Sequence, residues 1–68
     1  MEPVLQELRI LLEYLVKHNQ DHATELMELA ARVEKQGHSE AHAHMTKGVE
    51  LLNESNRSLR AALGALED

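Results

Sequence analysis

The sequence predicts an all-α protein: an antiparallel two-helix hairpin that dimerises into a four-helix bundle, with a monomeric three-helix bundle as the alternative. Three observations carry that expectation. Apolar residues recur at alternating spacings of three and four along both halves of the chain. A helix-stop signal centred on Gly37 separates the halves. The chain has 68 residues, is 43% hydrophobic and contains Tyr14 as its one aromatic residue, which leaves Leu, Val, Met and Ala to build a core. Cores of that kind suit helices. With no cysteine, neither disulfides nor thiolate metal sites add stability. One domain is expected over residues 1–68.

The first helix is expected over residues 3–36. Pro3 is pre-organised for a first helical turn, and Glu2 favours the positive end of the helix dipole. Leu5, Leu8, Leu12, Leu15, Asn19, His22, Leu26, Leu29 and Val33 then form one uninterrupted heptad seam. Asn19-Gln20-Asp21 is the weakest point in helix propensity, and it is where the three-helix alternative would break. The heptad phase passes through it unchanged, which favours one long helix. Glu13 with Lys17 and Glu28 with Arg32 stand four apart in the favourable order and support helicity on the outer face.

Residues 37–39 are expected to form the turn, and the second helix to cover residues 40–66. Basic residues precede Gly37, and Ser39 is expected to cap the second helix ahead of Glu40. So short a connection makes the helices antiparallel neighbours. The second seam reads His42, Met45, Val49, Leu52, Asn56, Leu59, Leu63 and Leu66. Pairing the seams about the turn matches Val33 with His42, Leu26 with Val49, Asn19 with Asn56 and Leu12 with Leu63, each pair of numbers summing to 75. The other positions pair at 74: Leu29 with Met45, His22 with Leu52, Leu15 with Leu59 and Leu8 with Leu66. Asn19, His22 and Asn56 therefore form an expected buried polar layer. Buried asparagine in such a seam costs stability but fixes register.

Both helices have apolar faces wider than a two-stranded seam needs. Val4, Leu11 and His18 line one flank of the first helix, and Val16, Ala23 and Ala30 the other. On the second helix Ala41, Gly48, Ser55 and Ala62 recur every seven residues, a stripe of small side chains suited to close helix approach. A lone hairpin of this size is marginal, so a homodimer is expected.

Twelve acidic residues against seven Lys and Arg give a net charge of −5, with no basic stripe for nucleic acid or an anionic membrane. The longest unbroken apolar run among the large side chains is Ile10-Leu11-Leu12, far short of a membrane span of about 20 residues. No leader segment is recognisable, and a cytoplasmic location is expected. Ser39, Ser55 and Ser58 have no evident base, and no glycine-rich phosphate loop occurs, so no enzymatic activity or bound cofactor is expected. Met1, Met27 and Met45 read as packing residues.

One constellation carries metal chemistry. His18, His22 and Glu25, spaced by four and three, fall on one helical face, where two imidazoles and a carboxylate suit Zn²⁺, Ni²⁺ or Fe²⁺. Asp21, Asn53 and Asn56 would assist as outer ligands. The bland reading makes His22 a core histidine bonded to an asparagine and leaves Glu25 in solvent. His38, His42 and His44 gather near the turn and read as an exposed patch. No E-x-x-H sequence occurs, so the di-iron carboxylate signature is missing.

The run His18-Asn19-Gln20-Asp21-His22-Ala23, with Leu11-Leu12-Glu13-Tyr14-Leu15 before it and Gly37 and the leucine-, asparagine- and alanine-rich stretch Leu51–Leu63 after it, resembles a family of small uncharacterised prokaryotic helical-hairpin domains. Those domains share an H-N-x-x-H-A core. Some are loosely labelled as nickel or cobalt transport proteins, and the resemblance implies a link to transition metals. This chain differs from them in lacking tryptophan and a histidine tract. The leading expectation is a non-enzymatic, self-associating assembly module with an unidentified protein partner. A metal-binding protein is the competitor.

Overall fold

The structure, a computed structural model, describes residues 2–66, so Met1 and the last two residues lie outside the described residues. Two helices, α1 (Pro3–Lys35) and α2 (Ser39–Ala65), form an antiparallel hairpin with principal extents of 53 × 15 × 12 Å. Pro3 stands at the start of α1, after Glu2 as N-cap, and the Gln6 amide donates to the Glu2 carbonyl at 2.9 Å. α1 continues without a break through Asn19-Gln20-Asp21, so the alternative of three shorter helices is set aside.

The turn is built from the stop signal. Gly37 has φ +83°, the left-handed region that side chains with a Cβ avoid. Its amide donates to the Glu34 carbonyl at 2.9 Å, and the His38 amide donates to that of Val33 at 3.3 Å. This is the paired Schellman arrangement that satisfies the last carbonyls of a helix. Arg32 and Lys35 complement the negative end of the dipole. One expectation needs correcting here: Ser39 is the first residue of α2 rather than its cap, and His38 takes the N-cap position without a side-chain capping bond. Because the Schellman turn closes on the His38 amide, the next helix resumes from that residue's own carbonyl, which accepts the His42 amide at 3.0 Å.

On α2 every seam position, His42, Met45, Val49, Leu52, Asn56, Leu59, Leu63 and Leu66, is buried or half-buried. α1 differs. Leu5, Leu12, Asn19 and Val33 turn inward as expected, Leu26 of the same row is 38% exposed, and the companion positions are Arg9, Val16, Ala23 and Ala30. The expected companions Leu8, Leu15, His22 and Leu29 are exposed. The helix is thus rotated by roughly 50° from the seam read in the leucines, half of the 100° between successive residues. Packing supplies the reason: α2 contributes mostly large side chains, and the alanines of α1 offer the space to receive them, so large meets small and the axes draw close. Val16, Ala23, Ala30 and Val49 make up the fully buried apolar core.

The rotation leaves a second apolar stripe in solvent. Val4, Leu8, Leu11, Leu15 and Leu29 run down the open side of α1, each about half exposed. Heptad phase puts Ala41, Gly48, Ser55 and Ala62 of α2 on that same side, opposite the one bridged by the hydrogen bond from Arg60 Nη2 to Gln20 Oε1 at 3.1 Å. A Cβ added at Gly48 would meet nothing within 4 Å, so no close approach inside the hairpin accounts for this glycine.

Candidate functional site

The middle of α1 carries polar groups on both of its faces. Inside, Asn19 Nδ2 donates to Asn56 Oδ1 at 3.3 Å, and Asn56 Nδ2 donates to the Val16 carbonyl at 3.1 Å. Asn56 is 2% exposed and both ends of its amide are bonded, so its burial is compensated. The bond to Val16 is made to a helical carbonyl, which ties α2 to one turn of α1. His22, expected beside the asparagines, lies outside this layer with its side chain 51% exposed. The rotation of α1 that turned Ala23 inward carried its neighbour out.

Outside, the histidines meet each other. His18 Nε2 and His22 Nε2 stand 2.9 Å apart, with the rings edge to face at 82° and centroids 4.3 Å apart. In neutral form one nitrogen donates and the other accepts. Tyr14, one turn earlier, stacks on His18 at 5.7 Å and 16° between planes, which limits how that imidazole turns. Glu25 Oε2 lies 3.5 Å from His22 Nδ1. With Nδ1 facing the carboxylate, Nε2 is the nitrogen turned toward His18.

That geometry rearranges the roles expected for the three residues. His22 meets His18 through one ring nitrogen and Glu25 through the other, so a single ion between the imidazoles lies on the far side of the ring from Glu25. The carboxylate lies on the Nδ1 side of His22, the side from which carboxylates support metal-bound histidines. Among the described residues no three His, Asp or Glu side chains converge as a metal-holding group. The proposed outer ligands are engaged or distant: Asp21 pairs with Lys17 Nζ at 3.5 Å, Asn56 is taken up by Asn19 and Val16, and Asn53 is exposed on α2.

The turn histidines do not gather. His42 Nδ1 faces Glu34 Oε2 at 3.5 Å and His44 Nε2 faces Glu40 Oε1 at 3.9 Å, while His38 and His44 both border an open hollow with Gly37, Ser39, Glu40 and Ala41 without forming, among the described residues, a metal-holding group with a third ligand. The first contact joins α2 to α1 across the turn, and the second lies within α2. The part played by Tyr14 was missed in the sequence, although a Tyr four residues before a His on a helix is a readable signal.

Fold and site together define an all-α helical hairpin with a buried asparagine bridge and an exposed histidine pair at mid-length. No helix among the described residues is long and apolar enough to cross a membrane. The chain belongs to the family described as Domain of unknown function (DUF8180), which it matches over residues 8–66. That span takes in α1 from Leu8 onward, the turn and all of α2. The family description attaches no activity, metal or transport role, so the nickel and cobalt association implied by the resemblance gains nothing from it. No match was found among curated proteins or among solved structures.

Proposed function

We propose that the chain is a non-enzymatic assembly module whose hairpin pairs with a second copy of itself to form a four-helix bundle. The observation that carries this reading is the row Val4, Leu8, Leu11, Leu15 and, beyond His18 and His22, Leu29, half exposed along one side of α1. Leucines at heptad spacing are expensive to leave in water, each worth about 1.5–3 kcal/mol on full burial.

Area and charge favour a second copy as the occupant. The chain exposes 5233 Å², whereas a compact folded chain of 7.7 kDa exposes about 4,300 Å², an excess of roughly 900 Å². A specific interface of standard size takes about 800 Å² from each partner. Packing α1 against α1 of another copy in antiparallel sense brings Glu7 at one end alongside Arg32 and Lys35 at the other, and opposes the helix dipoles. A parallel pairing would lay Glu7, Asp21, Glu25 and Glu28 upon themselves. The small stripe of α2 on the same side gives the neighbouring helices room to approach.

Sedimentation equilibrium tests the reading. The wild-type chain should have twice the mass of its 7.7 kDa protomer and a concentration-dependent melting temperature. Leu11→Glu with Leu15→Glu should raise the dimer dissociation constant by at least about 100-fold while retaining helical circular dichroism. A wild-type chain that stays monomeric at high concentration overturns the reading.

A further inference from the structure

Near its centre the open face of α1 carries a pair of histidines whose Nε2 atoms meet at 2.9 Å. We infer that His18 and His22 form half of a divalent transition-metal site, completed by the same two residues of a second copy, so that a zinc-class ion binds at the two-fold axis of the dimer. The inference rests on the self-association proposed above and adds to it a ligand and a means of control.

Three features on α1 lead there. Two nitrogens each about 2.0–2.1 Å from one tetrahedral ion stand about 3.3 Å apart, so the 2.9 Å between the two Nε2 atoms opens by a few tenths of an ångström when a cation replaces the shared proton. Both imidazoles are already oriented, His18 by the Tyr14 ring and His22 by the Glu25 carboxylate at Nδ1. Two ligands do not fill the coordination of Zn²⁺, which takes four, and no third ligand converges among the described residues of the chain.

Position along the helix supplies the remainder. α1 runs from Pro3 to Lys35, so its midpoint is at residue 19, and His18 and His22 straddle a point one residue away. In an antiparallel pair related by a two-fold axis, residues near the midpoint are the ones that meet their own copies. A register in which facing residue numbers sum to 40 sets His18 against His22 and Leu11 against Leu29. Four imidazoles, the donor type suited to Zn²⁺, Ni²⁺ and Co²⁺, then surround one point, with the Glu25 carboxylate of each copy behind its His22. Histidines at the centre of a leucine stripe are otherwise a cost to association. As ligands they make association depend on the metal.

The test uses the full-length, tag-free chain, stripped of metal with a chelator and titrated with Zn²⁺ by calorimetry and sedimentation in parallel. One Zn²⁺ ion should bind for every two chains, and with free Zn²⁺ at 100 times its dissociation constant the dimer should tighten about 100-fold. Co²⁺ should give the intense visible absorption of a tetrahedral nitrogen site. His18→Gln and His22→Gln, both at exposed positions, should each abolish these effects with helicity unchanged, while the double variant His38→Gln/His42→Gln should keep them. A dimer that forms equally well with chelator or zinc, taking up no ion, overturns this inference and leaves the assembly reading intact. A zinc-bound monomer with one ion per chain overturns the shared site and self-association on this face together. Zinc uptake lost only in the His38/His42 variant also overturns the inference.

Discussion

The two faces of α1 carry apolar residues at the same heptad spacing and meet different fates. One face presents Val16, Ala23 and Ala30 and is packed against α2; the other presents Leu8, Leu15 and Leu29 and stays about half exposed. Ranked by hydrophobicity alone, the leucine face is the one to bury. The hairpin instead buries the face whose small side chains let the axes close, because α2 already brings Met45, Leu52, Leu59 and Leu63 to the contact. Side-chain volume at the partner, and not apolar content, decides between two adequate stripes. The leucines left over are then the natural contact for a second layer.

Enlarging and trimming the two faces should separate them sharply. Ala30, 1% exposed, has no room to grow, and Ala30→Leu should destabilise the hairpin by about 1–3 kcal/mol, read as a lower midpoint in urea at unchanged slope. Leu29→Ala, one residue away on the open face, should leave the midpoint of a dilute monomer nearly unchanged and weaken the dimer. Equal effects at the two positions would erase the distinction between the faces.

The asparagine bridge sharpens the same contrast from the inside. Asn56→Ala removes the partner of both Asn19 and the Val16 carbonyl, and denaturant unfolding should show a loss of about 1–3 kcal/mol. Asn19→Leu with Asn56→Leu should cost much less or stabilise the fold. It should also broaden the amide NMR spectrum or give mixed species, because nothing polar then pins the register.

Gly48 gives the smallest effect. A methyl group there meets no atom of the hairpin, so Gly48→Ala should raise monomer stability by about 1 kcal/mol through helix propensity. Gly48→Leu should share that gain in the monomer yet weaken the dimer, if the small stripe receives a neighbouring helix. Unchanged dimer affinity in Gly48→Leu, measured by sedimentation, would move the interface off α2.

Much of the architecture was legible residue by residue, because it follows from local rules. Pro3 and the Arg32–Lys35 end of α1 bound a helix by preferences that act within a turn, and Gly37 adopts the one backbone region that its missing Cβ leaves open. The α2 seam was legible too, since only one face of that helix carries large apolar groups at heptad spacing. The match in numbering between Asn19 and Asn56 belongs here, because a short turn converts sequence distance directly into register. The rotation of α1 was not legible. Its alanine and leucine faces are equally periodic, and the choice between them depends on the volumes α2 presents, a property of the packed pair. That rotation placed His22 in solvent instead of in the core; its contacts with His18 and Glu25, one turn away on the same helix, follow from sequence spacing. Periodicity sets which residues share a helix face; the space left by the opposing side chains sets which face turns inward.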